Sequence, residues 1–298
     1  MPSKINWLAK LRYLIIFILI IILINQILLQ FLPPIWDNKP IQQKYAHFQQ
    51  GNYNTLFIGS SRTFRQISPA IINTHTNISF PINAYNLGSD GYLLPESSAL
   101  WATLLETKPT NLCYLFYELS FDSSYIPTNI YWSHWSSIQA LQHNLRLNEP
   151  NHIQRWQKSN QYTLLWLEKQ FNIGQIEPLL MHYVYNPPVE LETNEHGYTP
   201  LNTERMRIAQ GRQDFLDNPQ TLAEQTAHIL AEWQQSTTQP ITQHPDYVFN
   251  DMIQSMLTSA HQHNIHLIFI LPPRYYTPII NTIPATNKIN LSHPEEYP

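Results

Sequence analysis

The feature that most constrains this chain is an uncharged, apolar run of twenty residues close to its N-terminus, from Tyr13 to Leu32. Twenty helical residues rise about 30 Å, which is the thickness of the hydrocarbon core of a bilayer. Basic residues precede the run: Lys4, Lys10 and Arg12. Because basic residues stay on the cytoplasmic side, the pattern predicts a cytoplasmic segment over 1–12 and a transmembrane anchor over 13–32. The rest of the chain would then lie outside the cytoplasm, in the periplasm or its equivalent.

Two alternatives exist for this run, a cleaved signal peptide and a buried helix of a soluble domain. A signal peptide ends in a cleavage site with small residues, whereas this run leads into the sequence QFLPPIW. An uncleaved, single-pass anchor in the inner membrane is therefore the preferred interpretation, with the lipid bilayer as a partner.

Composition excludes several classes of function. The single cysteine among 298 residues excludes a disulfide framework and any metal site built from cysteines alone. The net charge of −4 argues against a general nucleic-acid binder, since few cations are available to replace phosphate counterions. Three histidines have a spacing that imidazole metal ligands can adopt: His261, His263 and His266. No matched carboxylate accompanies them, so no metal and no cofactor is predicted.

Beyond the run, prolines predict a linker over 33–52, in which Ile41–Asn52 is either a short polar helix or part of the linker. An α/β core follows over 53–122 and 244–298, and a helical cap over 123–243 interrupts that core. The predicted strands are short apolar runs: Asn54–Ile58, Asn83–Leu87, Asn111–Leu119 and His266–Leu271. Helical patterns separate these runs. Strands that alternate with helices indicate βαβ units and a mostly parallel sheet with helices on both faces.

Candidate site residues follow three of these strands. The first strand leads into Gly59-Ser60-Ser61-Arg62, the second into Gly88-Ser89-Asp90-Gly91, and the third ends at Glu118 and Ser120. In a parallel sheet, ligands bind at the carboxyl ends of the strands. Capping serines and ordinary glycine turns are the structural alternatives for these residues.

These three turns, in this order, resemble the conserved blocks of the SGNH/GDSL hydrolase superfamily, whose nucleophilic serine follows the first strand in a Gly-Asp-Ser motif. Gly59-Ser60-Ser61 matches that motif with Ser60 in the place of the aspartate. The resemblance implies a three-layer, flavodoxin-like fold, Ser61 as nucleophile and Gly88 as an oxyanion donor. It places Arg62 at the mouth of the site, with Asp90 as a further candidate.

The chain is most similar to membrane-anchored members of the superfamily that modify cell-envelope polysaccharides, as in teichoic acid D-alanylation and polysaccharide O-acetylation. That similarity implies a serine acyltransferase, acetyltransferase or esterase that acts on a cell-envelope polysaccharide or glycolipid. It also implies a membrane-embedded protein as acyl donor.

The sequence departs from the superfamily at its catalytic base, which is carried in a D-x-x-H motif after the last strand. None of the thirteen histidines has an aspartate three residues before it. His293 is the only histidine near the C-terminus, and nothing in the sequence orients it toward Ser61. The chain is therefore expected to be a fragment of an enzyme, or else a catalytically inactive accessory protein of a cell-envelope modification complex.

Overall fold

The computed structural model describes residues 4–30, 39–75, 81–92, 94, 97–107, 111–119, 152–171, 196–199, 247–272 and 283–291, with scattered single positions between 213 and 231. The strands in this part of the chain are β1 (Thr55–Ile58), β2 (Ala84–Asn86), β3 (Tyr114–Glu118), β4 (His266–Leu271) and β5 (Lys288–Asn290). They form one parallel sheet in the order β2-β1-β3-β4-β5. The α/β class and the four predicted strands are confirmed, whereas β5 was not predicted.

The helices surround this sheet in chain order. They are α1 (Lys4–Gln30), α2 (Lys39–Gln50), α3 (Ser61–Gln66), α4 (Pro69–His75), α5 (Ser97–Thr107), α6 (His152–Phe171) and α7 (Tyr247–Gln262), and a 3-10 turn spans Ala285–Asn287. Helix α4 begins with a proline, whose fixed φ suits the first helical position. The chain leaves α7 through Asn264, which adopts the left-handed conformation (φ 57°) that commonly ends helices.

One face of the sheet is fully buried and forms the main hydrophobic core. Leu56, Leu115 and Leu267 lie side by side on this face, and each is at most 1% exposed. Helices α2, α5 and α7 contribute the facing side chains. Trp101 of α5 donates a hydrogen bond to Ser259 of α7 (3.2 Å), which ties two of the covering helices together.

The opposite face carries aromatic and polar side chains. Phe57 and Phe116 stack across β1 and β3 with ring centroids 4.8 Å apart. Asn86 pairs with Phe57 in the register, and Glu118 lies two residues beyond Phe116, so both residues belong to this face. Helix α3 lies here too, since the Asn86 amide donates to carbonyls of Thr63 (2.7 Å) and Ile67 (2.8 Å).

Helix α2 occupies much of the stretch that was predicted as a linker over 33–52. Its apolar residues recur at helical spacing, and Ile41, Tyr45 and Phe48 are at most 3% exposed within the core. The Tyr45 hydroxyl reaches the carbonyl of Thr103 in α5 (3.4 Å). Residues 39–50 are therefore a packed part of the α/β core rather than a spacer.

Helix α1 covers most of the predicted anchor, and its apolar side chains are widely exposed. Within the described residues, no helix has the combination of length and apolar character that a membrane crossing requires. Most of the predicted cap over 123–243 lies outside the described residues. Helix α6 and residues 196–199 are the main described parts, and the Asn86 N–H donates to the carbonyl of His196 (2.9 Å).

The strand order creates a switch point between β1 and β3. From β1 the chain crosses through α3 and α4 to β2 on one side, and it then returns through α5 to β3 on the other side. At such a point the two connections diverge and leave a crevice beyond the carboxyl ends of the strands, where ligands bind in open α/β sheets. The loop after β1 and the end of β3 border this crevice.

We predict that Leu115→Ala, at the centre of the buried face, lowers the free energy of unfolding by about 2–5 kcal/mol, because it leaves a cavity among fully buried neighbours. Thermal or denaturant unfolding of the purified protein measures the change. Ile71→Ala, on a side chain that is 60% exposed, is the control and should change stability by less than about 0.5 kcal/mol. Equal effects of the two variants would contradict the assignment of the core.

Candidate active site at the carboxyl ends of the central strands

A buried carboxylate, Glu118 at the end of β3, organises the loop that follows β1. Its side chain is 2% exposed and accepts hydrogen bonds from Ser60 N–H (2.9 Å) and the Ser60 hydroxyl (2.7 Å). Thr63 donates its hydroxyl (2.7 Å) and its N–H (3.3 Å) to the same carboxylate, and Arg62 Nε completes the set at 2.9 Å. A buried carboxylate is stable only when it is paired and hydrogen-bonded, and this one has both kinds of partner.

These five donors define what Glu118 can do. A carboxylate offers about four lone-pair positions, and the donors from Ser60, Arg62 and Thr63 occupy both of its oxygens. Little acceptor capacity is left for a proton from another group. Glu118 is therefore a positioning residue that fixes the loop rather than a general base.

Gly59 is required by this arrangement. A Cβ atom at this position would lie 2.2 Å from Thr63 Oγ1 and 2.5 Å from Glu118 Oε2. Any other residue would push the carboxylate away from its donors, since real Cβ atoms do not approach other heavy atoms so closely. The glycine that the sequence suggested for a tight turn is thus needed for close packing around Glu118.

Ser61 lies between two residues that are bonded to Glu118, yet its own side chain is exposed. It is the first residue of α3, after Ser60 as N-cap, whose hydroxyl accepts from Arg62 N–H (3.3 Å). Within the described residues, the Ser61 hydroxyl has no hydrogen bond. The backbone at Ser61 is therefore held in place by its neighbours, while its side chain is exposed.

The turn after β2 is held by internal bonds. Gly88 N–H donates to Asn86 Oδ1 (2.8 Å), and Ser89 N–H donates to the carbonyl of Gly59 (3.0 Å). A Cβ atom at Gly88 would lie 2.5 Å from the backbone nitrogen of Phe64, so this glycine allows α3 to pack against the turn. The amide predicted as an oxyanion donor is engaged within the protein, and the geometry gives Gly88 a packing role.

The amides of the β1 loop are engaged in the same way. Ser60 and Thr63 donate to Glu118, and Phe64 donates to the carbonyl of Ser60 (2.9 Å). Ser61, at the first helical position, has no intrahelical acceptor for its N–H. Among the backbone amides from Ser60 to Phe64 in the described structure, this N–H is the one without an acceptor.

Lys44 is a site residue that the sequence interpretation missed. It is 0% exposed, and its Nζ donates to the carbonyl of Gly88 (2.7 Å) and lies 4.4 Å from the centre of the Phe64 ring. Burial lowers the pKa of Lys44 well below its usual value, and the negative charge of Asp90 opposes that shift. The signal was present in the sequence, because Lys44 falls between Ile41 and Phe48 on the apolar face of α2.

The remaining predicted residues divide into two groups. Asp90 lies at the turn, where its exposed carboxylate is 3.5 Å from Arg65 Nη2, an arrangement that contributes little to stability in water. Ser120 and His293 lie outside the described residues. The structure thus brings Ser60, Ser61, Arg62 and Glu118 together, and it places Gly88 and Asp90 beside them.

Two of the three histidines with metal-ligand spacing, His263 and His266, have structural contacts. His263 Nδ1 lies 2.7 Å from the carbonyl of Ser259, and the ring of His266 stacks on Tyr114 with centroids 5.3 Å apart. Over the described part of the chain, no three potential metal ligands come together.

Comparison with protein-family models, with curated proteins and with solved structures finds no match to this chain. A proposal of function therefore depends on the sequence pattern and on the site geometry.

We predict that Glu118→Gln lowers the free energy of unfolding by about 3–5 kcal/mol, because the buried donors and the Arg62 guanidinium lose their anionic partner. Denaturant unfolding measures the change. Glu106→Gln, on the exposed end of α5, is the matched control and should lie within about 0.5 kcal/mol of the unchanged protein. A Glu118 variant as stable as the control would show that the donor set does not hold the loop.

A second prediction concerns Lys44. Its pKa is lower in the folded protein than in the unfolded chain, so the unfolded chain binds more protons between these two values. The free energy of unfolding should therefore rise with pH in that interval, by up to about 1.4 kcal/mol per pH unit. Burial raises the pKa of Tyr45 and of Tyr85, which opposes this rise only above about pH 10.

Denaturant unfolding between about pH 7 and pH 9.5 tests this dependence below the range in which tyrosines ionise. Lys44→Met should remove the part of the slope that Lys44 contributes, whereas Lys10→Met, on an exposed lysine, should keep it. An unchanged slope in the Lys44 variant would contradict the assignment.

Proposed function

We propose that this protein transfers an acyl or acetyl group through Ser61, or hydrolyses an ester there, with a cell-envelope polysaccharide or glycolipid as substrate. The observation that supports the proposal is that Ser61 differs from its neighbours in the β1 loop in hydrogen bonding and exposure. Ser60, Arg62 and Thr63 are all bonded to a buried carboxylate, while Ser61 among them is exposed and borders the crevice between β1 and β3. A rigid loop that presents one free hydroxyl is the arrangement that covalent catalysis by serine requires.

In this proposal, the Ser61 oxygen attacks the carbonyl carbon of an acyl donor, and the bond from that carbon to the donor's leaving group breaks. The leaving group takes up the proton of the serine hydroxyl. A sugar hydroxyl or water then takes the acyl group from Ser61, and the serine proton is restored. The Ser61 N–H would act as an oxyanion donor, and Arg62 would lie at the mouth of the site.

This chemistry needs a general base, since a serine hydroxyl is a weak nucleophile without one. Glu118 is saturated by its donors, and Lys44 donates to Gly88. The base is therefore assigned to a residue outside the described part, where the predicted candidate His293 lies.

We further propose that α1 attaches the protein to a membrane, with the α/β core on the extracytoplasmic side. The support is the exposure of apolar side chains along α1, which include Leu14, Phe17 and Leu23 at 54–60% exposed. An envelope location makes a membrane-embedded protein the natural acyl donor and a surface glycan the acceptor. The net charge of −4 leaves nucleic acid out of the proposed partners.

A second candidate function, that of a non-catalytic accessory protein, is favoured by a different observation. Both Gly88 N–H and Ser89 N–H are engaged inside the protein, so neither is available to stabilise an oxyanion. An accessory protein would use the same rigid loop as a binding surface for a partner of the modification complex.

The two functions are separated by reaction of the full-length, detergent-solubilised protein with a fluorophosphonate probe, which labels activated serines. We expect labelling of the unchanged protein, loss of labelling in Ser61→Ala, and retention in Ser255→Ala, an exposed serine of α7. Labelling that persists in Ser61→Ala would exclude Ser61 as the nucleophile. A folded protein that is never labelled would favour the accessory function.

A further inference from the structure

Helix α6 carries an exposed apolar stripe that the proposed function leaves unused. At 100° per residue, four of its apolar positions fall within an arc of roughly 80°. The stripe consists of Ile153, Trp156, Leu164 and Leu167, of which the first three are 65–68% exposed and the last 37%. Gln157 and Gln161 are exposed beside it. An exposed apolar stripe of this kind, among the α6 side chains that the structure describes, marks a surface that is covered in the working protein.

Helix α1 indicates what covers the stripe. Five consecutive residues from Tyr13 to Phe17 are 41–71% exposed, and five consecutive residues pass around the whole circumference of a helix. A protein partner covers one side of a helix, an arc of about 100°, whereas lipid surrounds it. Side chains that are apolar and exposed on every side therefore fit a bilayer better than a protein groove.

Helix α6 packs against α1. The stripe of α6 is therefore close to a surface that suits lipid, and its composition suits the boundary between headgroups and acyl chains. Trp156 combines a large apolar ring with an N–H donor, and tryptophan is enriched at that boundary. An amphipathic helix with a tryptophan–leucine face lies in the plane of the interface, with its apolar face in the acyl region.

We propose that the stripe of α6 lies in the interface of the lipid bilayer beside α1, so that the protein contacts the membrane at two places. This inference rests on the proposed membrane attachment through α1. A second contact would restrict the rotation of the α/β core about α1 and hold the Ser61 loop at a set orientation to the membrane surface.

The test uses the full-length protein in vesicles of phosphatidylcholine and phosphatidylglycerol. With Cys113→Ser as background, a fluorescent nitrobenzoxadiazole label is attached at Leu164→Cys in α6. Two reference labels are placed at Ile16→Cys in α1 and at Ser255→Cys in α7. Lipids that carry a nitroxide near the headgroup quench only those labels that reach the interface or the acyl region.

We expect the labels at 164 and 16 to be quenched at least about twofold more than the label at 255. Quenching at 16 without quenching at 164 would overturn the second contact and leave the attachment through α1 intact. Absence of quenching at both positions would overturn the attachment and the second contact together. Energy transfer between labelled copies at 164, without quenching by lipid, would assign the stripe to a second copy of the chain.

Thermal unfolding of each labelled variant shows whether the fold is kept, and all three label positions are exposed, so the substitutions should leave stability within about 0.5 kcal/mol. As a second measurement, Leu164→Gln should reduce quenching of a label at Ile153→Cys, because a polar residue weakens the same apolar stripe. Thr258→Gln, on exposed α7, should leave that quenching unchanged.

Discussion

The burial of the Glu118 carboxylate is the constraint on which the rest of the site depends. A charge at the end of a central strand must be matched by donors, and this chain draws them from one short segment, Ser60 to Thr63. The positions of these donors fix Ser61 as the first residue of α3. Helix α3 then offers its carbonyls to Asn86, and the other end of the Asn86 amide holds Gly88.

The same chain of contacts continues into the N-terminal part of the protein. The carbonyl of Gly88 accepts from Lys44, which joins α2 to the turn after β2. A single buried anion thus sets the position of two loops and, through Lys44, of the first helix of the core. Burial of Lys44 is unfavourable because its ammonium group loses hydration. The hydrogen bond to a buried carbonyl and the contact with the Phe64 ring offset part of that loss.

The internal use of donors has a consequence for chemistry. Loops that bind anions usually keep several N–H groups free, whereas here most donors of both loops are committed to the protein itself. In the described β1 loop, the Ser61 hydroxyl and the Ser61 N–H are left uncommitted. The site is therefore rigid and offers few uncommitted hydrogen-bonding groups. Such a site fits one covalent step in which further groups come from elsewhere, or a surface that binds a partner without catalysis.

The sequence predicted the elements whose signals are local. Short apolar runs marked β1 to β4 to within a few residues, and the first two of these runs end at a glycine. It missed α3 because six residues carry too little periodicity, and β5 because Lys288–Asn290 has one apolar side chain and is paired along only one side in the described sheet. The grouping of Ser60, Arg62 and Glu118 near Gly88 was predicted from their positions at the carboxyl ends of parallel strands.

The roles within that group could not be predicted from the sequence. A glutamate at a strand end can act as a general base, or it can accept several hydrogen bonds and fix a loop. Its role depends on how many donors reach it, and that number is a property of the assembled loops. The same applies to Gly88, since a glycine that frees an N–H for a ligand and one that admits a neighbouring helix have the same sequence signature. Membrane attachment remains a prediction from the N-terminal run.

The pairing of β3 with β4 has a consequence for how the protein acquires its fold. Glu118 and His266 border a stretch of roughly 150 residues, yet they lie on adjacent strands. The entropy lost on closing a loop grows only with the logarithm of its length, at about 0.6 kcal/mol per doubling. An insertion between these strands can therefore lengthen or shorten at little cost to the finished sheet. The insertion instead slows folding, because β1, β2 and β3 can assemble locally whereas β4 must pair with β3 across the whole insertion.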